Sequence, residues 1–437
     1  MTRIRHATHD TFRSLAVRNF RLFFGGQLIS QIGNWLTLVA QTLLVLKLTD
    51  SGYALGGLAA AQFGPVLVIG AFAGLVADRS DKRRLLIIVQ TLAMLQSFCL
   101  AALAFMAHPP LLAIYAVALC GGLATAFDNP ARRSFVVEMV PEESINNAVS
   151  LNSALMTGSR VIGPALAGLL VTTVGFGWCF LLDAISYLAV IAALWRMNPA
   201  ELRQAPVTPK GTGQIREGLR YARSVPELWV PLLMMALIGT LAFNFQTVLP
   251  LFATRDLHGS DVTFTWLMSV VSCGSLLGAL ATARRKTIDI RTVSRNAVIF
   301  GVALALLTFT PNQPSAFAVG FLVGLGSITF MTAATAITQL AADPSMRGRI
   351  LALQAIVFLG STPIGGPILG AICESFGARY GIALGAAATL AAAGVGFFTV
   401  RRSRQAVPTH DTGPIPLQAD VPGDLALLDP LITPKAS

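Results

Sequence analysis

Charged residues are scarce in this chain of 437 residues. Only 12% are Asp, Glu, Lys or Arg, whereas about a quarter is usual in a soluble domain. Hydrophobic residues make up 54% of the chain, and the mean hydropathy is +0.67. This composition excludes a single water-soluble domain. Because the apolar residues form blocks long enough to cross a bilayer, the sequence predicts a membrane protein with many spans.

Signals for redox, metal and nucleotide chemistry are also missing. The five cysteines are odd in number and show no CxxC spacing, and the five histidines lie in predicted loops or tails. The chain contains neither a phosphate-binding loop of the GxxxxGKS or GxxxxGKT type nor an HExxH zinc motif. We therefore expect no enzyme activity, no metal and no cofactor, and we expect an ion gradient as the energy source.

Twelve apolar blocks, separated by charged residues or prolines, predict an all-α membrane protein with twelve transmembrane helices. Unpaired backbone groups are costly in hydrocarbon, and no alternating strand pattern of about ten residues appears, so helices are expected rather than a barrel. The predicted spans are residues 21–46, 53–77, 85–106, 111–127, 146–173, 177–195, 228–253, 262–283, 293–310, 315–341, 350–373 and 379–400.

Basic residues are distributed unequally between the two sides of the predicted helices. All but four of the 32 lysines and arginines fall on the side that holds both termini; the exceptions are Lys47, Arg255 and Arg379 on the other side and Arg160 within a span. By the positive-inside rule, both termini are expected in the cytoplasm, which suits the bacterial inner membrane. The first 20 residues carry arginines but no apolar stretch of signal-peptide length, in agreement with this orientation. The net charge of +11 then reflects topology and not nucleic-acid binding.

The two halves of the chain carry matching motifs of small residues. The GxxxG pair at residues 70–74 recurs at residues 274–278, and Pro164 recurs as Pro367, with offsets of 203 or 204 residues. Small residues at this spacing let helices approach closely, so helix packing alone also accounts for the glycines. The repeat implies two pseudo-symmetric six-helix bundles.

The composition of the segments outside the spans completes the predicted organisation. The linker is polar and basic, and the C-terminal segment is rich in proline, aspartate and glycine with no helical period, which is typical of disorder. We expect a cytoplasmic tail at 1–20, bundles at 21–196 and 227–400, a cytoplasmic linker at 197–226 and a disordered cytoplasmic tail at 401–437.

The segment between spans 2 and 3, GLVADRSDKRR, resembles the loop signature of the major facilitator superfamily, except that Asp81 stands where glycine is usual. An acid at a helix end can meet a helix N-terminus or a base in only one conformation, so we interpret the segment as a conformational switch. The alternative is a solvated basic loop that only sets topology. The residues assigned to this switch are Gly74, Asp78, Arg79, Lys82 and Arg83.

Span 5 contains Gly163 and Pro164, which resemble the glycine-proline signature of exporters in the same superfamily. Proline removes a backbone hydrogen bond and bends a helix, while glycine permits close packing. We therefore add both residues to the predicted switch as a hinge. A kinked helix that serves packing alone is the alternative.

Four short segments narrow the resemblance to the exporter subfamily that contains enterobactin and macrolide efflux proteins. These segments are residues 18–23, 77–84, 128–133 and 360–366. The resemblance covers roughly residues 12–400 and implies proton-coupled export of small amphipathic compounds, such as a drug or a siderophore. Many members look to have an acid after the glycine of span 1, where this chain has Asn34. The coupling mechanism therefore does not transfer directly.

Two ionisable residues lie deep within predicted spans, where charge is expensive and usually functional. Arg160 lies about 20 Å from the cytoplasmic start of span 5, and Asp183 lies about 9 Å from the outer end of span 6. We expect Asp183 to carry the coupling proton and Arg160 to bind substrate or couple charge. The alternative is a structural ion pair or a polar contact that locks helices.

Polar and aromatic residues of spans 1, 2, 7, 8 and 11 are candidates for the substrate cavity. A few amides among apolar side chains suit amphipathic ligands, whereas hydrogen bonds between helices or anchoring at the lipid interface are the alternatives. The candidates are Gln31, Asn34, Trp35, Gln62, Phe63, Asn244, Gln246, Trp266 and Gln354.

Together these observations predict a monomeric secondary transporter that exports an amphipathic small molecule by alternating access. Its expected partners are the substrate, protons as coupling ion and the lipid bilayer, with no nucleic acid. Three alternatives remain open at this point: an uptake symporter, a lipid flippase, and a membrane sensor of the same fold that transports nothing.

Overall fold

The computed structural model describes residues 12–203, 214–283, 289–343 and 346–405. These residues contain twelve helical segments that are long and apolar enough to cross a membrane, as the hydropathy pattern predicts. The described residues contain no β-strand. The predicted disordered tail lies mostly outside them, and so do residues 1–11 of the N-terminal tail.

Each of the first six spans is one continuous helix. Short 3-10 turns at Arg13–Ala16, Glu142–Ser144 and Pro199–Glu201 flank them. The six helices, which we call the N half, are α1 (Arg18–Thr49), α2 (Gly52–Arg79), α3 (Lys82–Ala104), α4 (Leu111–Glu138), α5 (Ile145–Thr173) and α6 (Phe176–Arg196).

The second six spans, which we call the C half, follow a short linker helix, α7 (Gln214–Ser224). Spans 7 and 11 are each formed by two helices, and span 7 ends in a π-helical turn at Phe252–Asp256. The helices of the C half are α8 (Pro226–Leu241), α9 (Phe245–Leu251), α10 (Asp261–Ala283), α11 (Ile290–Thr308), α12 (Gln313–Ala341), α13 (Arg347–Leu359), α14 (Thr362–Phe376) and α15 (Ala378–Gln405).

The break in span 7 is stabilised by a side chain at the break itself. The amide of Asn244 donates hydrogen bonds to the carbonyls of Gly239 at 3.3 Å and Thr240 at 2.8 Å. These carbonyls lose their helical partners where α8 ends, and a carbonyl without a partner is costly inside a membrane. In span 11, the break falls just before Pro363, which occupies the first turn of α14 and needs no helical partner there.

Span 4 is longer than the sequence predicts. The prediction ended it at residue 127, whereas α4 continues through Asp128, Pro130 and Arg132 to Glu138. Two of the charged residues that suggested a loop, Asp128 and Arg132, are buried and pair with each other one turn apart on the same helix. Because each charge neutralises the other, the helix extends past them.

The helices alternate in direction and define two ends of the molecule. We call the end with the α2–α3 turn and the linker helix α7 the basic end, and the opposite end, with the α1–α2 turn at Asp50, the far end. The two halves pack through α2 against α14 and through α5 against α10.

The hydrophobic cores differ between these ends. The large core contains side chains of both halves, including Leu43 of α1 and Phe252 of the C half. At the basic end, the core around Phe20 and Phe135 contains only residues of the N half and the start of the linker. A third core joins the linker helix to the C half alone. Apolar packing between the halves is therefore absent from the two cores at the basic end, within the described ranges.

Candidate functional site

A polar cavity of about 200 Å³ lies among the helices of the N half. Its wall contains many side-chain amides and hydroxyls from α1 to α4, with Met156 of α5 and Tyr187 of α6. Five of the nine predicted substrate residues lie on this wall, namely Gln31, Asn34, Trp35, Gln62 and Phe63. These five residues belong to α1 and α2 and form one side of the cavity.

The other four predicted substrate residues, all in the C half, lie elsewhere. Asn244 lines a separate, mainly apolar pocket and stabilises the break in span 7. Gln354 hydrogen-bonds Thr335 at 2.5 Å and Thr338 at 3.1 Å, which joins α13 to α12. Trp266 is 57% exposed and Gln246 is half-buried, and neither lines the polar cavity. For Asn244 and Gln354, the polar contacts match the alternative of hydrogen bonding in and between helices.

A buried ion pair at the cavity wall was not among the predicted site residues. Asp128 and Arg132 of α4 pair with each other, and Asp128 also accepts a hydrogen bond from Gln90 of α3 at 2.7 Å. With its amide oxygen oriented toward Arg132, Gln31 accepts a hydrogen bond from the guanidinium at 3.2 Å. The pair is therefore held between α1, α3 and α4. Its i, i+4 spacing is the signal in the sequence that identifies such a pair.

The amides of the cavity also connect helices. Gln62 of α2 donates to Gln41 of α1 at 2.8 Å, and Gln41 donates to the carbonyl of Ile114 on α4 at 3.5 Å. Both glutamines line the cavity. Their hydrogen bonds fix the side chains in place, so the cavity presents a preorganised set of amides to a ligand.

Asp183 of α6 is completely buried, and hydroxyl groups surround its carboxyl group. Thr37 of α1 and Ser97 of α3 each donate a hydrogen bond to one carboxyl oxygen at 2.7 Å, and Ser186 lies 3.4 Å from the other. Among the described residues, no lysine or arginine pairs with this carboxyl group. Thr37 also lines the polar cavity, so a single hydroxyl separates the carboxyl group from it.

Arg160 of α5 does not pair with Asp183. Its guanidinium lies over the ring of Trp35, 5.2 Å from the ring centre, and it forms no ion pair within the described parts of the chain. The structural ion pair that the sequence left open is therefore not formed. The cation–π contact places Arg160 beside a residue of the cavity wall.

Two basic residues of the predicted switch bind within the N half. Lys82, at the start of α3, forms a buried ion pair with Glu138 at the end of α4, with 2.6 Å between the Lys82 nitrogen and a Glu138 oxygen. Arg83 donates hydrogen bonds to the carbonyls of Leu194 at 2.6 Å and Trp195 at 3.1 Å, at the end of α6. These contacts join α3 to its neighbours at the basic end.

The other residues of the switch segment are not engaged in this conformation. Asp78 and Arg79 are exposed and make no hydrogen bond or ion pair with any described residue. A side chain added at Gly74 would meet nothing within 4 Å. In this conformation, Asp78 is therefore available to a partner that another conformation brings near.

The glycine-proline pair of α5 lies inside an unbroken helix. Gly163 packs directly against the Trp35 side chain of α1, where a Cβ atom would collide. Five residues later, Gly168 packs against Thr265 of α10 in the other half. The close contacts of this region are therefore shared between α1 and α10.

The far end is closed by polar contacts between the two halves. Glu374 of α14 accepts a hydrogen bond from the backbone N–H of Gly52 on α2 at 2.7 Å and pairs with Arg255 at 3.2 Å. Arg255 also reaches Asp50 of the N half, at 3.5 Å from the carboxylate. The hydroxyl groups of Tyr53 and Ser375 lie 3.3 Å apart.

Glycines bring the two halves into backbone contact beneath these polar groups. A Cβ atom at Gly56 would lie 2.8 Å from the carbonyl oxygen of Gly366 and 2.8 Å from the Cα atom of Pro367. A Cβ atom at Gly366 would lie 2.7 Å from the Ala59 side chain. Larger residues at these positions would force α2 and α14 apart.

Comparison with known proteins agrees with this architecture. The staphyloferrin A transporter of Staphylococcus aureus is 24% identical over 82% of this chain and 90% of that protein. The multidrug efflux pump Tap of Mycolicibacterium fortuitum is 26% identical over 79% of this chain and 87% of that protein. Among solved structures, a bacterial homologue of the human lysosomal transporter Spinster has a TM-score of 0.70 at 16% identity, covering 89% of this chain and 97% of that one.

A family model gives the assignment. The model described as "Transmembrane secretion effector" matches residues 9–419, which is nearly the whole chain. The twelve spans and the similarity to transporters of the major facilitator type agree with that match. This chain is a multi-pass membrane transporter that belongs to the transmembrane secretion effector family of the major facilitator superfamily.

Proposed function

We propose that this protein is a proton-coupled exporter of an amphipathic small molecule, such as a drug or a siderophore, which works by alternating access. It acts as a monomer in the bacterial inner membrane, with both termini and the basic end in the cytoplasm. The similarity to efflux pumps and to a siderophore transporter supports the substrate class and the direction. The excess of basic residues at one end supports the orientation.

The observation that carries the proposal is the asymmetry of the contacts between the halves. Within the described ranges, the hydrogen bonds and the ion pair that join the N half to the C half all lie at the far end. The ion pairs at the basic end stay within one half or join the linker to the C half, as Lys82–Glu138 and Glu217–Arg349 do. This is the arrangement of a carrier closed to the outside, with a polar cavity on the cytoplasmic side of the closure.

Asp183 is the proposed proton carrier. A carboxyl group without a basic partner can take up and release a proton only if the carboxylate and the carboxylic acid have similar free energies. This requires hydrogen-bond partners that suit both forms. Hydroxyl groups meet that condition, since each can donate to a carboxylate or accept from a carboxylic acid. Thr37 connects the group to the cavity, and Tyr187, one turn further along α6, lines the same cavity. Substrate and proton therefore reach neighbouring sites.

Transport is tested in cells that lack their own efflux systems. Expression of the protein is expected to protect such cells against some members of a panel of toxic amphipathic compounds. Everted membrane vesicles are then expected to accumulate those compounds when a proton gradient is applied, whereas whole cells exclude them. Accumulation by whole cells instead would indicate uptake, and normal insertion with no protection and no flux would contradict a transport function.

The proton site is tested by replacing Asp183→Asn and measuring gradient-driven accumulation and substrate counterflow in parallel. The variant is expected to lose accumulation driven by the proton gradient. It should keep counterflow, because counterflow requires the change between inward-facing and outward-facing states but no net proton movement. A matched control is Asp289→Asn, which changes an exposed acid that caps α11 outside the cavity. Unchanged gradient-driven transport by Asp183→Asn, at verified expression, would remove Asp183 from the coupling role.

A further inference from the structure

We propose that Arg160 binds an anionic group of the substrate, so that the transported compound is an amphipathic anion. This inference rests on the proposed transport function and specifies the ligand of the same site. The relevant chemistry is that of a carboxylate or a similar anion, attached to an aromatic or aliphatic body.

The helical position of Arg160 shows which space its side chain faces. At about 100° per residue, Arg160 points between Gly163 and Gly168, about 60° from the first and about 80° from the second. Gly163 contacts Trp35 of the N half, and Gly168 contacts Thr265 of the C half. Arg160 therefore faces the boundary between the two halves.

The lipid-facing side of α5 lies in the opposite direction. Ile162 and Leu169, which are 45% and 59% exposed, point about 160° to 180° away from Arg160. Arg160 is nevertheless exposed. An exposed side chain on the protein-facing side of a helix borders a hollow, so the side chain of Arg160 borders the space between the halves.

Among the residues that the structure describes, no acidic group pairs with Arg160 in the middle of the membrane. The acidic groups at similar depth in the N half are Asp128, which pairs with Arg132, and Asp183, whose hydrogen bonds come from hydroxyl groups. In the C half, helix α10 packs against α5. Its only acidic residue is Asp261, which lies at the far end. A charged side chain without a counter-ion is expensive in a membrane and marks a substrate pathway.

The surroundings of Arg160 match an anion with an apolar body. The ring of Trp35 lies beneath the guanidinium and on the cavity wall, and Met156, one turn away on α5, lines the same cavity. Arginine binds carboxylates with two parallel hydrogen bonds, and the aromatic and thioether side chains provide apolar contact area beside it. The net charge of these mid-membrane groups is positive whenever Asp183 holds a proton, which favours an anion over a cation.

The inference is tested with three probes that share one ring system and differ only in charge: 2-naphthoate, 2-naphthamide and 2-naphthylmethylammonium. The purified full chain, with the exposed Cys99, Cys120 and Cys273 replaced by serine, is melted at increasing probe concentrations. Unfolding is followed with a thiol-reactive dye that reports the buried cysteines Cys179 and Cys373. A ligand that binds the folded protein raises the melting temperature, and at a given concentration a tighter ligand raises it further. The variants are Arg160→Gln, Arg160→Lys and Arg223→Gln.

Arg223 is a matched control, because its guanidinium also lies 5.2 Å from the centre of a tryptophan ring, that of Trp229, but next to the linker helix. We expect 2-naphthoate to stabilise the wild type more than the amide or the ammonium does. Loss of a charge-assisted hydrogen bond to the anion should weaken its binding on the order of tenfold or more in Arg160→Gln, and less in Arg160→Lys. Arg223→Gln should bind like the wild type.

Each of the following results would overturn the inference: equal stabilisation by 2-naphthoate and 2-naphthamide, stronger stabilisation by the ammonium probe, or unchanged naphthoate affinity in Arg160→Gln. If none of the three probes stabilises the wild type, the inference is overturned as well. If Arg160→Gln does not fold, the comparison of the three probes on the wild type still decides whether the protein prefers an anion. Efflux of neutral or cationic compounds in the transport assay would leave the proposed function standing while this inference fails.

Discussion

The backbone N–H of Gly52, in the first turn of α2, donates a hydrogen bond to the carboxylate of Glu374, in the last turn of α14, at 2.7 Å. The same carboxylate oxygen accepts from Arg255 at 3.2 Å, and Arg255 extends to Asp50 in the other half. Three short segments from the two halves are thereby joined at the far end. Under the proposed alternating access, this group of contacts is the latch that opens when the protein faces outward.

Removing the arginine from the latch should favour the outward-open state. Arg255→Gln removes the ion pairs to Asp50 and Glu374, and we expect the closed state to lose about 1 kcal/mol, or roughly fivefold in the equilibrium. The measurement is the labelling rate of Ala59→Cys, a buried position between the halves, by a maleimide that cannot cross the membrane, in a background without the native cysteines. Arg379→Gln serves as control, because Arg379 bonds only within the C half at the same end. An unchanged labelling rate would show that Arg255 does not hold the far end closed.

Enlarging a glycine at the contact between halves should have a similar effect through sterics. Gly56→Val places carbon atoms within 3 Å of the backbone of α14, and that backbone cannot rotate away as a side chain can. In a background without the native cysteines, we expect the yield of a crosslink between Tyr53→Cys and Ser375→Cys, formed by a short bis-maleimide, to fall severalfold. Gly64→Val is the matched control on the same helix, since a Cβ atom there meets nothing within 4 Å. Equal yields in the two variants would contradict the packing described for Gly56.

The ion pair between Lys82 and Glu138 should contribute to stability. Both side chains are less than 10% exposed, so Lys82→Met breaks a buried ion pair and should cost about 3 kcal/mol. Arg84→Gln breaks the exposed pair with Asp81 and should cost less than about 1 kcal/mol. Thermal unfolding of the purified variants measures both effects. Equal melting temperatures would indicate that Lys82 acts only in another conformation.

Asp183 should tolerate an amide but not a hydrocarbon side chain. Asp183→Asn keeps an oxygen that accepts from Thr37 or Ser97, so its melting temperature should stay close to that of the wild type. Asp183→Leu leaves these hydroxyl groups buried without that acceptor, and about 1 to 3 kcal/mol is expected for each group that finds no new partner. A variant with leucine as stable as the one with asparagine would show that the hydroxyl groups rearrange freely.

The fold follows from the sequence because a bilayer leaves few alternatives. Apolar blocks of span length must become helices, and the distribution of arginine and lysine orients them. The predicted end of span 4 is wrong because charged residues lie within that span. Asp128 and Arg132 are buried partners on one helix, and a reading that ends spans at charged residues stops at residue 127. Their spacing of four residues was the available signal.

The site was less accessible to sequence reasoning than the fold. Asp183 and Arg160 stand out as rare charges in apolar helices, and both lie next to the cavity wall. Their partners carry no local signal, because Thr37 is 146 residues and Ser97 is 86 residues from Asp183 in the chain. The predicted substrate residues of the C half resemble those of the N half in residue type. They differ only in their surroundings in the fold. Gln354 and Gln62 look alike in sequence, but only Gln62 lines the polar cavity.

Rocking of the two halves is tested most directly by distance measurements between pairs of spin labels in liposomes. One pair is placed at the far end, at Ser51 and Ser375, and one at the basic end, at Ser80 and Asp343. The account predicts two populations in which a longer distance at the far end accompanies a shorter one at the basic end, with Arg255→Gln shifting both in that direction. Distances that stay fixed at both ends, or lengthen together, would contradict alternating access.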